Sequence, residues 1–473
     1  MMSSTDIQSI RTALAPSALR GGSLSFLETI GQSIANIGPT LTPAINIAVV
    51  AGLAGVGSWL AFVIATVGLL FVAASVGSLA KRHPLAGSYF VYIGRCLGPG
   101  AGMIAGWSMV AAYLFTAVAT ILSGDIFLGN MMSALGFAKL APPHVVVIAA
   151  LAVAVLFCAW RDIRISSRLG LVLEGVSIAI IVLITALVVV RHGTVVDPRQ
   201  LDLPHLPFAG VMSALTFAVF CFVGFESAAT LAREARDPVR MIPLSVTLSA
   251  GVAGIFFTVI CYFMVLAVGD QTKVIGDSSS PFAEITSRAG FVWAAAVVYF
   301  SALISSFACT LASVNAGARM IFSMGRYEYL PKGLGRVHDT HQTPHVAATA
   351  GVAFAGFVAI LMLQILAPID AFGDAGTLAT FGFLVVYLLL CVVAPMDLRK
   401  AGLMRLRHVA VGVVGVGLMG FVIFGSLYPV PAWPANLLPY MFGAYLLLGF
   451  VWYAILSRRA PGSLQRILGD MEA

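Results

Sequence analysis

Twelve apolar runs, each long enough to cross a bilayer, alternate with short polar segments along the chain. A spanning helix needs about 20 apolar residues at ~1.5 Å rise each. By that measure the spans fall near residues 26–51, 55–80, 98–123, 143–160, 168–190, 207–232, 243–268, 290–318, 345–367, 371–395, 408–428 and 436–457. The pattern predicts an all-α integral membrane protein with 12 transmembrane helices, an N-terminal tail of residues 1–25 and a C-terminal tail of residues 458–473. An even number of crossings puts both tails on one side.

Composition supports this reading, since 60% of the 473 residues are hydrophobic and only 10% are charged, against about 25% charged in an ordinary globular chain. Orientation follows from the basic residues, because short cytoplasmic loops carry their excess. With the N-terminus inside, 22 of the 27 lysines and arginines fall in inside segments. The net charge of +7 is thus spread over loop edges facing the membrane surface and is not gathered into a nucleic-acid-binding face. The polar first 25 residues lead into a run too long for a signal peptide, without a small-residue cleavage site, so they are expected to stay as a cytoplasmic tail.

Two spans depart from plain helix. In the first, Asn36, Ile37, Gly38, Pro39 and Thr40 sit at mid-membrane, where proline removes a donor and glycine permits non-helical dihedrals. In the sixth, Phe220 to Glu226 (F-C-F-V-G-F-E) places a glycine and an acid in an apolar stretch. Breaks in spans one and six are what a five-plus-five inverted repeat (LeuT-like) predicts, with the freed backbone groups lining a binding cavity. Residues 26–395 would then form the transporter core and residues 396–457 two added helices.

Three acids lie inside apolar runs: Glu28, Glu174 and Glu226. Each costs about 3 kcal/mol or more to insert, which makes it a candidate functional group. Glu226 reads as a gate or proton carrier, or as the cap of a half-helix. Glu174 reads as a coupling-ion or proton site, or as one half of a salt bridge with Arg168. Glu28, near the start of span one, reads as a helix cap or as a gate salt bridge to a loop arginine. All eight histidines fall in loops or at span ends, the six cysteines show no CxxC spacing, and neither H-E-x-x-H nor G-x-S-x-G occurs. No metal centre, cofactor or catalytic residue is therefore expected. The glycines Gly98, Gly100, Gly102 and Gly106 predict close helix packing rather than a phosphate loop.

Three loop-edge motifs narrow the choice: Pro84 to Tyr92 (P-L-A-G-S-Y-F-V-Y), Gly224 to Pro243 (G-F-E-S-A-A-T-L-A-R-E-A-R-D-P-V-R-M-I-P) and Asn315 to Pro331 (N-A-G-A-R-M-I-F-S-M-G-R-Y-E-Y-L-P). Together, over spans one to ten, they resemble the amino acid–polyamine–organocation permeases. The resemblance implies alternating access, with an amino acid or amine held between the breaks of helices one and six. Aligning Pro43 and Ala44 with the family's Pro-Ala puts Asn36, Ile37 and Gly38 on its G-S-G motif, and only Gly38 is identical. By that carry-over the N–H groups of Ile37 and Gly38 hold the substrate carboxylate, and the carbonyls of Ile34, Phe220 and Val223 hold its ammonium. Gly224 belongs to the same helix-six break, Phe220 takes the place of an aromatic lid, and Tyr113 and Ala117 are candidates for the pocket wall. Some proton-coupled members carry a helix-five lysine where this chain has Ser177, with Glu174 one turn earlier. Sodium-dependent members use helix-eight hydroxyls, for which Thr310 and Ser313 are the candidates.

The expected function is a secondary active permease for a small amino acid or amine, coupled to protons in preference to sodium, or an exchanger. It belongs in the lipid bilayer of a bacterial inner membrane, with no nucleic-acid partner. The alternatives are a sodium symporter, or a sensor or channel on the same fold; the tails, of about 25 and 16 residues, are short for an output domain.

Overall fold

The computed structural model describes residues 19, 21–83, 88–161, 163–269, 271–278, 280–428, 430 and 433–459. Most of the two expected tails, and Pro84 to Gly87 at the head of the first motif, lie outside the described residues. The helices in chain order are α1 (Phe26–Ile37), α2 (Ile47–Ala54), α3 (Ser58–Arg82), α4 (Ser88–Leu97), α5 (Pro99–Ala134), α6 (His144–Trp160), α7 (Ile163–His192), α8 (Pro198–Leu201) and α9 (Phe208–Phe220). They continue with α10 (Pro238–Val268), α11 (Thr272–Gly276), α12 (Pro281–Arg288), α13 (Val292–Arg326), α14 (His345–Met362), α15 (Pro368–Lys400), α16 (Leu406–Leu427) and α17 (Leu438–Arg459). Among the described residues there is no β-strand, only an isolated parallel bridge between Leu24 and Ala235.

Nine helical stretches among the described residues are long and apolar enough to cross a membrane, the first being the 57-residue run Phe26–Arg82 that contains α1 to α3. The apolar helices α6 and α9 are shorter. At 13 residues, α9 covers only about 20 Å of a ~30 Å hydrocarbon core. Several helices overrun the apolar pattern. α5 runs to Ala134 rather than to about 123, and α13 to Arg326 rather than to about 318. Hydropathy senses only the lipid-immersed part of a helix, whereas backbone hydrogen bonding continues into polar sequence until a stop residue intervenes. The extension brings Asp125 inside α5, where it is buried and accepts a 2.6 Å hydrogen bond from His144.

Local sequence sets the helix starts. Ser25 and Glu28 form a reciprocal capping box at α1, and Asp237 accepts from the Arg240 N–H ahead of Pro238 at α10. The long helix α5 packs along both α13 and α15, and α3 packs along α10 through Phe62 and Phe257, whose ring centroids lie 5.9 Å apart. α5 presses so closely on α4 that a Cβ at Gly102 would stand 2.7 Å from the Phe90 carbonyl, the close packing expected of that glycine cluster. α16 and α17 are largely exposed along their lengths, as helices facing lipid are.

The loop between α7 and α9 is stapled to α10. The Asp197 N–H donates to the Tyr262 hydroxyl at 2.9 Å, while the Asp197 carboxylate accepts from the Arg199 N–H and Nε at 3.1 and 2.9 Å and from Gln200 Nε2 at 3.3 Å. Burial pushes this carboxyl upward, but the bonds from Arg199 and Gln200 prevail and hold it below the usual carboxylate range.

Candidate functional site

Both breaks read from the sequence are present, and they touch. α1 ends at Ile37; Gly38 takes the left-handed conformation (φ 60°, ψ 62°), and helical structure resumes in a π-turn at Thr42–Asn46 that leads into α2. The Gly38 N–H donates to the Ala35 carbonyl at 3.2 Å, not to Ile34 as an α-turn would have it. α9 ends at Phe220, turns through Cys221 to Glu226, and resumes as a 3₁₀-helix at Ser227–Leu231. Within that turn Gly224 has φ 96°, and a Cβ there would sit 2.3 Å from Asn36 Nδ2. Glycine is needed twice over at this position, for the dihedral and for the approach.

Further bonds hold the breaks together. Ser33 Oγ accepts from the Ala228 N–H at 2.9 Å, and Ser227 Oγ donates to the Gln32 carbonyl at 3.3 Å. Gln32 Nε2 donates to the Ala312 carbonyl on α13 at 2.7 Å. On the same helix, Ser313 Oγ donates to Asn36 Oδ1 at 2.6 Å and Cys309 Sγ to the Asn36 carbonyl at 3.0 Å. Asn36 Nδ2 is buried and makes no hydrogen bond. An amide has two donors there, so this nitrogen stands ready for an acceptor.

The last residue of the turn after α9, Glu226, is fully buried. Its Oε1 accepts from the Tyr113 hydroxyl at 3.0 Å, its Oε2 from the Tyr387 hydroxyl at 2.5 Å, and its backbone carbonyl from the Tyr89 hydroxyl at 2.5 Å. Tyrosines from α4, α5 and α15 thus converge on one residue. Tyr113, a candidate for the pocket wall, is engaged with Glu226 and packed edge-on against Phe383, with centroids 5.3 Å apart. Ala117, one turn along, is buried in the core.

The remaining candidates separate. Phe220 packs on α15, where a Cβ at Gly376 would lie 2.5 Å from its ring, and it faces Phe372 at 6.4 Å. It lines a mainly apolar cavity of about 660 Å³ together with Asn46, Thr216, Thr377 and Thr380. The Phe220 carbonyl accepts from the Val223 N–H at 3.1 Å, so of the candidate carbonyls of Phe220 and Val223 the first is used within the turn after α9. Thr310 and Ser313 do not converge: the Thr310 hydroxyl bonds Thr120 Oγ1 and the Ser306 carbonyl on α5 and α13, both at 2.8 Å, while Ser313 faces Asn36. Glu174 accepts from Ser305 Oγ at 2.7 and 3.0 Å, and Ser177 Oγ donates to the Ser301 carbonyl at 3.1 Å. The Glu174–Arg168 pair does not form. Arg168 instead bonds Glu28 at 2.6 Å, so Glu28 is at once a cap and an ion-pair partner.

On the N-terminal side of the bundle, Arg319 grips Glu234 with two bonds of 2.6 and 2.8 Å. The Ser23 and Leu24 N–H groups donate to the Glu234 carbonyl at 2.7 and 2.8 Å, and the Arg236 N–H returns to the Leu24 carbonyl at 3.1 Å. Tyr89, Tyr387, Glu234, Arg319, Ser305 and Cys309 were not among the sequence candidates. For three of them the signal existed, since Tyr89, Glu234 and Arg319 belong to the three motifs: Tyr89 of the first bonds Glu226 of the second, and Glu234 of the second bonds Arg319 of the third.

Comparison with known proteins places the chain in a family. The model of the amino acid permease family matches residues 29–455. The branched-chain amino acid permease BcaP of Bacillus subtilis is 25% identical over 366 residues, covering 74% of this chain and 76% of its own. The low-affinity putrescine importer PlaP of Escherichia coli K12 is 26% identical over 331 residues, covering 68% and 71%. An uncharacterized transporter of Mycobacterium tuberculosis is 28% identical over 414 residues, covering 86% of each chain. With the family match running from the first turn of α1 into α17, the chain belongs to the amino acid permease family of the amino acid–polyamine–organocation superfamily.

Proposed function

We propose that this permease carries a small amino acid or amine across the cytoplasmic membrane by alternating access, with uptake coupled to protons or run as exchange. The observation that carries this reading is the contact between the two breaks, Gly224 against Asn36, both buried within the helical bundle. Broken helices at membrane depth persist where their freed groups serve a ligand. The relatives' names, a branched-chain amino acid permease and a putrescine importer, support the substrate class.

In this reading the twelve crossings are α1–α2, α3, α5, α6, α7, the helix-six pair of α9 with Ser227–Leu231, α10, α13, α14, α15, α16 and α17. The core of residues 26–395 forms the two five-helix repeats, residues 396–457 are added helices, and both termini are cytoplasmic. The substrate carboxylate is taken by Asn36 Nδ2 with the N–H groups of Ile37 and Gly38, the latter released from Ala35 as the turn opens. The ammonium is taken by the carbonyls of Ile34, Phe220 and Val223, and Phe220 closes over it. Below, Glu226 with its tyrosines bars passage to the cytosol, and Glu28–Arg168 and Glu234–Arg319 form a second barrier.

Proteoliposome uptake of labelled leucine, putrescine and a panel of other amino acids and amines tests this, with and without an inward proton gradient and again with sodium. Saturable uptake of one compound that the gradient stimulates, or that needs preloaded substrate, is the expected result. Failure of every compound to show saturable uptake or counterflow would count against the permease reading.

A further inference from the structure

On α13, residues Ser301, Ser305, Cys309 and Ser313 stand four apart and so share one face. That face meets α7 and then the break in α1. Ser177 bonds the Ser301 carbonyl, Ser305 bonds both oxygens of Glu174, Cys309 bonds the Asn36 carbonyl and Ser313 bonds its side chain. All are buried, and two further polar atoms along the stripe, Ser301 Oγ and Asn36 Nδ2, make no hydrogen bond.

Glu174 is fully buried, and the hydrogen bonds to its carboxylate come from one hydroxyl. Among the described residues no charged side chain on the elements packed against α7 pairs with Glu174. Arg168 is paired with Glu28, Arg319 with Glu234 and His144 with Asp125, while Arg240 sits in the first turn of α10 beside its cap Asp237. The other titratable groups on α13, α6 and α10 include the thiols Cys309, Cys158 and Cys261. An anion in such a place is expensive, and its neutral acid is not.

We propose that Glu174 is the group that binds and releases the transported proton, and that the α13 stripe couples its state to the break in α1. This rests on the coupled-permease reading above. The step is RCOO⁻ + H⁺ → RCOOH while the site opens to the outside, and the reverse once it opens to the cytosol. Ionised, Glu174 requires the Ser305 hydroxyl as donor. Protonated, its O–H donates to Ser305 Oγ, and the serine hydrogen turns back to the Ser301 carbonyl one turn earlier. That carbonyl now holds Ser177, so protonation rearranges the contact between α7 and α13 two turns from the groups that hold Asn36.

The test uses the full chain purified in detergent and reconstituted. Infrared difference spectra between about pH 5 and 9 are expected to show a protonated-carboxyl band that Glu174→Gln removes. In proteoliposomes Glu174→Gln is expected to keep substrate counterflow of the labelled leucine or putrescine that the native protein accepts, while losing stimulation by an inward proton gradient. If Glu174→Gln is aggregated on size exclusion, Ser305→Ala serves: it should shift the pH midpoint of the carboxyl band and of uptake. A native protein without the band, a Glu174→Gln variant that retains both band and gradient stimulation, or a Ser305→Ala variant with an unmoved midpoint overturns the proposal. Sodium-stimulated uptake that Glu174→Gln abolishes overturns it in favour of a bound cation. Counterflow in the native protein decides the permease reading separately, since it needs no proton, and the infrared band needs no substrate.

Discussion

Arg319 holds both carboxylate oxygens of Glu234, at 2.6 and 2.8 Å, with the two side chains 3% and 1% exposed. A third Arg319 bond reaches the Asn315 carbonyl at 3.0 Å. Removing one partner strands the other in a dry site, which costs about 3–5 kcal/mol. Glu234→Gln and Arg319→Ala should each lower the melting temperature sharply, and the double variant should lose less than the sum of the two. Additive losses would mean that the pair does not act as a unit.

Gly224 sits where a methyl group would run into Asn36, and its backbone lies at φ 96°. Gly224→Ala should cost on the order of 1–3 kcal/mol from backbone strain alone and push the two breaks apart. Uptake per molecule of inserted protein should fall strongly. Native-like uptake by this variant would show that the breaks need not touch for transport.

Tyr387 and Tyr113 both donate to Glu226. Tyr387→Phe removes one donor from a buried carboxylate, a loss of about 1–3 kcal/mol, and should alter transport rate more than substrate affinity if this contact opens and closes in the cycle. The effect should largely vanish in a Glu226→Gln background. A rate unchanged from native would sink the gate assigned to this trio.

Asp197 supplies the pH dependence. Its carboxyl lies below the usual range when folded, so the stabilisation is fully present above the unfolded value of about 3.9 and is lost as pH falls through the folded value. Asp197→Asn should therefore melt earlier than native at neutral pH, and the gap should shrink as the pH is taken below about 4. A constant gap across that range would point to lost packing instead of lost ionic contacts.

The helical layout was largely legible because lipid immersion leaves a one-dimensional record in the sequence. Both breaks were legible too, since Gly38, Pro39 and Gly224 are local exceptions to helix-forming sequence. What hydropathy hides is the partner of each polar side chain. Arg168 lies six residues from Glu174 in sequence, yet it turns to Glu28, 140 positions away, because the two glutamates stand at different depths and only Glu28 is near the polar end of α7. Thr310 and Ser313 look equivalent as helix-eight hydroxyls, but three residues of helix rotate one toward Thr120 and the other toward Asn36. Tyr387 gave no signal, as an aromatic within an apolar helix reads as packing until its hydroxyl is placed.

The short bridge between Leu24 and Ala235 has a practical side. Through it, residues 23 and 24 are backbone-bonded to the segment that follows Ser227–Leu231, so the stretch leading into α1 is a strap tied to one of the parts proposed to move. A bulky fusion placed tightly against Ser23, or a deletion reaching past it, would tug on or cut that strap, whereas the end of α17, a helix that packs on α5 and α15, offers a handle for labels and force probes away from that strap.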